Sequence, residues 1–523
     1  MWVSFGVAAS AFLVRLPAIV EPLGPDQGVY VTIAWGLQRG LALYRDLWEQ
    51  KPPGIYLTYL LGFTVFGDKA SSVFWLDYLA GALTALVLLD LGRRLVSLRV
   101  GAMAAAVYAI GTLPAARHMY GGFLERAVTE TFISPLAAAA AWAAVVAVLR
   151  KTNRWALAAG LCIGLAAVFK PTALVYWPAL LVWIWWVTDA SRARRFALYS
   201  IPGLLVAPLL TLAWLSATGV LRDAWVAVIE YPMAYLAVGG GGVVFTVYRF
   251  AQEVWRRVRS DEVWALGSLS ALIALGAWRW RSTKAGWVGS LGVVWLGASL
   301  VAVVANGPRL FTTYFVPPLV PLCLLIAWLL DQTLASGRFV RVGAGILVLG
   351  LTGVMAVRSG SMRRALSITA WDARELVGRT DRQEYLGRFR SRDAQGFSAA
   401  DNDRLADYVR THTAPTDRLF VFGMAGGTYF SSGRLPASRF LWAYPPASNL
   451  LDRPEFHLDT LASELARTAP RYIVLQRHNG DRFSGWRAED AFAAPPMVAL
   501  LRGYGQETTI GDFVLYRRTG THP

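Results

Sequence analysis

The sequence places charged side chains at the edges of long apolar stretches, where they could take part in chemistry. Asp26 lies in GPDQGVY, Glu49 and Lys51 lie in YRDLWEQKPPGIYL, and Glu130 lies in LERAVTETF. Ionisable residues at a membrane segment are expensive to keep there, and they indicate function by default. A carboxylate can accept a proton from an attacking hydroxyl group, and cations can bind a phosphate. The pattern therefore favours a reaction on an anionic, lipid-linked substrate.

Three more cations follow this pattern. Arg126 precedes Glu130, Lys170 lies in FKPTAL, and Arg309 lies in NGPRLFTTYF, each at the end of an apolar run. Together with Lys51, they are the candidate residues for binding a phosphate. Lysine and arginine are the side chains that bind phosphate oxygens best, because their hydrogen bonds are charge-assisted.

Each of these residues also has a purely structural interpretation. Asp26 could cap the helical pattern at 27–39, and Glu130 could pair with Arg126 one helical turn away. The two lysines could extend to the lipid headgroups, and Arg309 could anchor there as well. One shared site explains all of these positions more simply than five separate structural roles.

The composition is that of a membrane protein. The chain has 523 residues, of which 55% are hydrophobic, and a net charge of +17. Up to residue 357, its basic residues cluster in short loops between apolar runs, which is the positive-inside pattern and not a nucleic-acid-binding patch. Cys162 and Cys323 both fall in apolar runs, so we expect no disulfide.

The apolar runs predict a polytopic α-helical membrane domain over residues 1–357, with about 11–13 transmembrane helices. The predicted spans lie near 2–20, 72–92, 100–114, 129–149, 155–169, 172–188, 196–217, 262–280, 285–306, 313–330 and 339–357. Five basic loops are assigned to the cytoplasm: 92–99, 150–154, 191–195, 279–284 and 337–341.

The alternate loops must then lie outside the cell. They include a first outer loop, 21–71, and a second large outer loop, 218–261. Within the first outer loop, residues 54–66 are apolar, but this segment is short for a membrane span. A full crossing there would place every later loop on the other side of the membrane. We predict a half-inserted or surface-lying helix; a slanted span is the alternative. In the second, four glycines precede an amphipathic, basic helix suited to a membrane surface.

The composition changes after residue 357. Residues 358–523 are polar and contain short strand-like runs at 418–423, 471–477 and 513–518, with helix-like segments such as 399–412 between them. This alternation predicts a small soluble α/β domain, which an odd number of spans places outside. The histidines show no metal-ligand spacing, so a divalent metal is possible but not indicated.

Several of these motifs resemble those of GT-C glycosyltransferases, in particular bacterial lipid A aminoarabinose transferases and relatives of protein O-mannosyltransferases. The motifs are GPDQGVY, the following EQKPPGIYL, ERAVTETF, RLFTTYFVPPLVPL and, in the C-terminal domain, DRLFVFG with YFSSGRLPASRF. The resemblance implies a GT-C-like fold and a transferase that uses a polyprenyl-phosphate sugar. Asp26 matches the catalytic aspartate, Lys51 matches the phosphate-contacting lysine, and Glu130 matches a second acidic position.

We therefore predict an inverting glycosyltransferase in the bacterial inner membrane, with its site and C-terminal domain facing the periplasm. Asp26 and Glu130 would be the catalytic carboxylates, with Asp26 accepting the proton. Lys51 would face the phosphate, and Arg45, Glu49 and Tyr30 would support the loop. The expected partners are a polyprenyl-phosphate-linked sugar, the bilayer, and a glycan, glycolipid or protein acceptor, but no nucleic acid.

Two alternatives belong to other classes of protein. One is a transporter or flippase of lipid-linked sugars, which predicts broken helices with charges near mid-membrane. The other is a non-catalytic subunit that binds lipid or glycan. Gln27 and Val29 leave the second alternative open, because relatives often have an acidic residue and an arginine at these positions.

Overall fold

The protein is described here by a computed structural model. The structure describes residues 2–112, 126–238, 242–276, 283–338, 361–391 and 396–520, with a few positions between 342 and 353. Almost all of the predicted span at 339–357 lies outside these described residues.

The described residues up to 338 contain fifteen helices. They are α1 (Trp2–Arg15), α2 (Pro25–Gln38), α3 (Gly54–Phe66), α4 (Ser71–Leu95), α5 (Leu98–Gly111), α6 (Thr129–Arg150), α7 (Arg154–Phe169), α8 (Tyr176–Val187), α9 (Ala190–Ala217), α10 (Leu221–Trp225), α11 (Tyr231–Val238), α12 (Gly242–Ser260), α13 (Glu262–Gly276), α14 (Lys284–Val304) and α15 (Leu319–Ala335). Short 3₁₀ turns precede α8 and α15, and a π-helical turn joins α10 to α11.

The helices confirm the predicted polytopic membrane architecture. Within the described residues, five helical segments are long and apolar enough to cross a membrane, and a sixth is added if α10–α11 and α12 form one bent span. Shorter apolar helices occupy 54–66, 98–111, 154–169, 171–187 and 262–276. The total number of crossings stays a prediction.

The short helix α3 does not reach the far side of the bundle. It has 13 residues, which is about 20 Å at 1.5 Å per residue, less than the thickness of a bilayer core. Pro52 before it lines the cavity, and Phe63 in its last turn stacks on Phe430 of the C-terminal part with ring centroids 5.6 Å apart, so both of its ends lie near that part. This geometry agrees with a half-inserted helix in the first outer loop.

The helix ends separate two kinds of charge. Glu130 begins α6 and Lys170 follows α7, whereas Arg150 ends α6 and Arg154 begins α7 at the opposite end of the same helices. At that opposite end, Arg99 binds the carboxylate of Asp331. The predicted segregation of basic loops from candidate site residues is thus present at 92–99 and 150–154, whereas most of the predicted basic loops 279–284 and 337–341 lies outside the described residues.

Three glycines let α7 and α9 pack with their backbones in contact. A Cβ atom at Gly160 would lie 2.0 Å from the Ser200 carbonyl oxygen, and one at Gly164 would lie 2.3 Å from that of Leu204. On α9, a Cβ atom at Gly203 would lie 2.1 Å from the Leu157 oxygen. Small residues allow such close helix packing in membranes. Because Lys170 follows α7 directly, this contact helps to place it.

The C-terminal part is a small α/β domain, as predicted. Its helices are α16 (Ser361–Leu376), α17 (Arg382–Gly387), α18 (Ala399–His412), α19 (Thr428–Ser432), α20 (Tyr444–Ala447), α21 (Leu458–Thr468), α22 (Ala488–Phe492) and α23 (Pro495–Leu501). The strands are β1 (Leu419–Phe422), β2 (Tyr472–Gln476), β3 (Gly480–Asp481), β4 (Trp486–Arg487), β5 (Tyr504–Ile510) and β6 (Phe513–Arg518).

Four of these strands form a mixed sheet in the order β1-β2-β6-β5. β1 and β2 are parallel, whereas β6 runs antiparallel to both β2 and β5. Every residue of β1 and β2 is buried, which explains why both appear in the sequence as short continuous apolar runs. β3 and β4 form a separate two-stranded hairpin.

The C-terminal domain packs directly on the first outer loop. Trp48 lies among the rings of Tyr231, Phe440 and Phe456, with ring centroids 4.8 to 5.5 Å away. The Trp48 amide also donates a hydrogen bond to the Arg439 carbonyl oxygen at 2.7 Å. The two parts of the chain therefore share one hydrophobic core.

The close contact of α7 with α9 leads to a stability prediction. Gly164→Ala should lower the stability by about 1–3 kcal/mol, because the added methyl group would overlap the Leu204 carbonyl oxygen. Gly297→Ala in α14 is the matched control, because no atom lies within 4 Å of its added Cβ. Alanine is the better helix former, so this control should be neutral or stabilising. Thermal unfolding in detergent measures both; equal effects of the two substitutions would contradict the packing.

Candidate active site

The predicted outer ends of the helices surround one cavity of about 690 Å³. Its membrane-side wall comes from the first outer loop, the start of α6, the α7–α8 connection and the segment before α15. Its other wall comes from the C-terminal domain. Five of the candidate residues line it: Asp26, Glu49, Lys51, Glu130 and Lys170.

Asp26 lies in the first turn of α2 and does not cap it. The N-cap is Gly24, and Pro25 occupies the first helical turn. The Asp26 carboxylate accepts a hydrogen bond from the Tyr30 hydroxyl group at 3.2 Å, one helical turn further on. Its side chain is 53% exposed, toward the cavity, whereas Tyr30 is fully buried beneath it. The carboxylate is therefore oriented by the protein and still accessible to a substrate.

Lys51 lies between two carboxylates. Its ammonium nitrogen is 3.3 Å from Glu49 Oε1 and 3.8 Å from Asp26 Oδ2. It also lies 5.1 Å from the centre of the Tyr30 ring. Burial alone would lower the pKa of Lys51, but the carboxylates of Asp26 and Glu49 outweigh burial and hold that pKa above its usual value. The ammonium group therefore remains charged near neutral pH.

Glu49 supports this arrangement from beneath. It is 2% exposed, and its carboxylate accepts a hydrogen bond from the Lys51 amide at 2.8 Å and a short one from the Tyr56 hydroxyl group. The Tyr44 hydroxyl group donates to the Lys51 carbonyl oxygen at 2.9 Å. The backbone of Lys51 is thus fixed on both sides, as the predicted loop-supporting role of Glu49 requires.

Glu130 and Lys170 form a second, separate pair. The Lys170 ammonium nitrogen is 2.7 Å from Glu130 Oε1, and Thr129 donates to Glu130 Oε2 at 2.6 Å. Lys170 also lies 3.6 Å from the centre of the Tyr314 ring. The alternative pairing of Glu130 with Arg126 is not the one adopted.

Besides Tyr30, which lies beneath Asp26, three predicted residues are outside the cavity wall. Arg126 is buried, with its guanidinium group 3.9 Å from Glu21 Oε2. Arg45 is exposed and forms a 3.5 Å ion pair with Asp46. Arg309 binds Asp481 through two hydrogen bonds, of 3.0 and 3.2 Å. The contacts of Arg126 and Arg309 join separate segments of the chain, whereas that of Arg45 is local to the first outer loop.

The sequence reasoning missed the residues that the C-terminal domain contributes. They are Asn402, Asp403, Arg410, Met424, Trp442, Tyr444, Gln476, Asp481, Arg482 and Phe483, together with Arg382. Tyr314, on the membrane side, was also missed. The one available signal was the AGG sequence at 425–427. A Cβ atom at Gly28 would lie 2.8 Å from Gly427 Cα, so both glycines are needed for α2 to contact this loop.

Chemically, the cavity combines an oriented carboxylate with two ammonium groups at its membrane-side wall. Within the described residues, no group of three or more His, Cys, Asp or Glu side chains is arranged to hold a metal ion. A carboxylate that is accessible and hydrogen-bonded can act as a general base, and fixed cations can stabilise an anionic leaving group.

Comparison with known proteins agrees with the resemblance predicted from the motifs. The family model of dolichyl-phosphate-mannose-protein mannosyltransferases matches residues 50–218. That segment begins just before Lys51 and includes Glu130 and Lys170. A search of curated proteins found no match.

Solved structures match along almost the whole chain. ArnT from Cupriavidus metallidurans in the apo state has a TM-score of 0.61 at 16% identity, covering 98% of this chain and 97% of that one. The same protein bound to undecaprenyl phosphate has a TM-score of 0.57 at 15% identity, with the same coverage. The oligosaccharyltransferase AglB from Archaeoglobus fulgidus, in complex with an inhibitory peptide and a dolichol-phosphate, has a TM-score of 0.52 at 12% identity, covering 99% and 74%.

These matches confirm the predicted GT-C-like fold, with a helical membrane part followed by a C-terminal domain. At such low identities the likeness concerns the fold, and the roles of individual side chains must be argued from their contacts in this chain.

The Glu130–Lys170 pair leads to a prediction on stability. Lys170→Met should destabilise the protein by about 3–5 kcal/mol, because Glu130 would remain as an uncompensated buried charge. The double variant Lys170→Met/Glu130→Gln should be more stable than the single one. Thermal unfolding of the purified protein measures both.

The matched control for this pair is the exposed ion pair of Arg192 with Asp189 at the start of α9. Arg192→Met should cost no more than about 1 kcal/mol, because exposed pairs contribute little. A double variant at 130 and 170 that is no more stable than Lys170→Met would show that the two charges are not coupled.

Proposed function

We propose that the protein is an inverting membrane glycosyltransferase that transfers a sugar from a polyprenyl-phosphate donor to an acceptor hydroxyl group. The observation that carries this proposal is the cluster of Asp26, Tyr30, Lys51 and Glu49 at the membrane-side wall of the cavity. The GT-C-like fold and the mannosyltransferase family match at 50–218 support it.

In the proposed reaction, the acceptor oxygen attacks the anomeric carbon of the donor sugar from the face opposite the phosphate. The new bond joins this oxygen to the anomeric carbon, and the bond from that carbon to the phosphate oxygen breaks. Asp26 takes the proton of the acceptor hydroxyl group, and polyprenyl phosphate leaves with the electron pair. The single displacement inverts the configuration of the anomeric carbon.

Lys51 is the proposed donor-binding cation. It remains charged, its backbone is fixed by Tyr44 and Glu49, and it lies beside the proposed base. A cation next to the leaving phosphate stabilises the charge that develops as the bond breaks, so a strong general acid is not needed. Held in place beforehand, Lys51 requires little reorganisation during the reaction.

Lys170 is the second proposed phosphate contact, weaker than Lys51 because Glu130 binds its ammonium group at 2.7 Å, closer than either carboxylate lies to that of Lys51. Glu130 then has a positioning role: it holds Lys170 at the cavity wall and the start of α6 beside α7. We assign no direct phosphate contact to Arg126 or Arg309, since neither residue lines the cavity. Arg45 supports the first outer loop from its exposed side.

The proposed donor and the proposed orientation in the membrane each have separate support. ArnT and AglB have been solved with undecaprenyl phosphate and a dolichol-phosphate, which supports a polyprenyl-phosphate donor here. The five basic loops support a cytoplasmic position for the end opposite the cavity. The cavity and the domain from residue 358 onward would then face the periplasm, where a glycan, glycolipid or protein could serve as acceptor.

Replacing the proposed base should abolish turnover without unfolding the protein. Asp26→Asn keeps the shape of the side chain but cannot take the proton, so the rate should fall about 100- to 10,000-fold. The assay follows consumption of undecaprenyl-phosphate-linked monosaccharides in the presence of cell-envelope extract. Asp68→Asn, at an exposed aspartate outside the cavity wall, is the control and should retain activity.

The outcome also separates the proposed function from its alternatives. A folded wild-type protein that consumes no donor supports a transporter or a binding subunit. If wild type turns over and Asp26→Asn does so at a similar rate, Asp26 is not the base, and Glu49 and Glu130 become the carboxylates to test.

Lys51 should contribute to donor affinity. Lys51→Ala should weaken the binding of undecaprenyl phosphate by about 1.5–3 kcal/mol, the range for a charge-assisted hydrogen bond, and Lys51→Arg should recover part of it. Binding of the fluorescently labelled lipid to purified protein measures the change. Lys69→Ala, at an exposed lysine of the same loop, is the matched control. Unchanged affinity in Lys51→Ala would support a structural or headgroup-anchoring role.

A further inference from the structure

The ion pair between Arg309 and Asp481 is largely buried and bidentate. The two side chains are 3% and 11% exposed, and the guanidinium group binds both carboxylate oxygens. The rings of Tyr235 and Phe483 lie 3.5 and 4.8 Å from that group. Such a bidentate contact fixes orientation as well as distance.

Further hydrogen bonds hold Asp481 in place. Its Oδ2 atom accepts from the Tyr444 hydroxyl group at 3.0 Å and from the Ser484 hydroxyl group at 2.7 Å. Burial alone would raise the pKa of Asp481, but the hydrogen bonds from Ser484 and the charge of Arg309 outweigh it, and the pKa lies below its usual value. The carboxylate is therefore ionised at neutral pH, and the pair is intact there.

The Arg309–Asp481 ion pair joins two parts of the chain that are distant in sequence and meet beside the cavity. Arg309 precedes α15 at the membrane edge, whereas Asp481 belongs to the β3–β4 hairpin, residues 480–487, of the C-terminal domain. Gly480, Asp481, Arg482 and Phe483 of this hairpin all line the cavity. Arg309 holds the hairpin from outside the cavity.

The hairpin is anchored at its base, where Trp486 is buried in the main hydrophobic core, whereas Arg482 and Gly485 at its tip are exposed. β3 and β4 pair through only two residues each, Gly480 with Arg487 and Asp481 with Trp486. A short two-stranded hairpin is at best marginally stable by itself. Trp486 and Tyr444, with ring centroids 5.2 Å apart, attach its base to the rest of the domain.

The docking of the whole domain depends on other contacts. Thr32 donates a hydrogen bond to the Gly426 carbonyl oxygen at 2.8 Å, and Trp48 packs among the rings of Phe440 and Phe456. Loss of the Arg309–Asp481 pair should therefore release the hairpin without releasing the domain.

We infer that the Arg309–Asp481 pair is a clamp that closes the β3–β4 hairpin over the acceptor side of the cavity. The inference rests on the proposed function, since it assigns the hairpin to the acceptor. The donor's lipid must reach the cavity from the membrane part, to which Lys51 belongs, whereas the hairpin belongs to the wall that the C-terminal domain contributes. Arg309 is thus a positioning residue, and the hairpin is the movable wall that admits the acceptor hydroxyl group.

Hydrogen exchange tests the clamp without any substrate. In Asp481→Asn, the protection of the amides at 480–487 from exchange should fall about 10- to 100-fold, which corresponds to the loss of one charge-assisted hydrogen bond. The amides of β1 and β2 should remain protected. Arg309→Lys, which keeps the charge but loses the bidentate contact, should give a smaller loss. Unchanged protection of the hairpin would overturn the inference, and so would loss of protection throughout the domain, which would indicate a general domain tether.

The matched control is Glu230→Gln. Glu230 pairs with Arg453 at 2.7 Å, which also joins the second outer loop to the C-terminal domain, but neither residue lines the cavity. This substitution should leave the exchange of the hairpin unchanged.

Labelling of a cysteine in the cavity tests the opening itself. Thr172→Cys, in a Cys162→Ser background, introduces a thiol at the cavity wall. A maleimide that carries a trisaccharide should react with it about tenfold faster in Asp481→Asn than in wild type, relative to N-ethylmaleimide. An unchanged ratio would overturn the role of the hairpin as a gate. Neither measurement needs turnover, so a failure of the proposed function would be recognised separately, by an inactive wild type.

Discussion

The cost of keeping ionised side chains at the edge of a bilayer is the constraint on which this site depends. A buried charge must be paired and hydrogen-bonded, and here the partners come from different segments. Lys51 is compensated by Asp26 from α2 and by Glu49, and Lys170 by Glu130 from α6. Charge compensation therefore ties the first outer loop together and joins α6 to the end of α7. The same pairs that stabilise the fold place a carboxylate and two cations at one wall.

Asp26 and Lys51 differ in exposure from the two carboxylates that support the site. Glu49 and Glu130 are nearly inaccessible, whereas the Asp26 side chain is 53% exposed and that of Lys51 is 25% exposed. A base and a phosphate ligand must reach a substrate, and their supporting residues need not. Tyr30 beneath Asp26, and Glu49 with Tyr44 beneath Lys51, give the two accessible groups fixed positions, which is what preorganised catalysis requires.

The C-terminal domain lines the cavity because the backbone of the loop after β1 can contact the backbone of α2. Gly28 on α2 and Gly427 in the loop after β1 are close enough that a side chain on either would separate them. Val29, which follows Gly28, packs against Gly426. Its position, where aminoarabinose transferases have an arginine, is thus occupied by a contact between the membrane part and the soluble part. This contact brings polar residues of the C-terminal domain opposite Asp26.

The sequence by itself determined the class of fold, most helix positions and the strands β1, β2 and β6, because apolar runs are local signals. It also determined the group of candidate charges, because charges at the membrane edge can be recognised locally. It also indicated Asp26, Glu49, Lys51, Glu130 and Lys170 as members of one site, and the structure brings these five to one cavity. Only the tertiary structure decided the pairings: Glu130 with Lys170 instead of Arg126, and Arg309 with Asp481. Pairing depends on which helix ends and loops meet in space, and partners 40 and 172 residues apart leave no periodic signal in the chain.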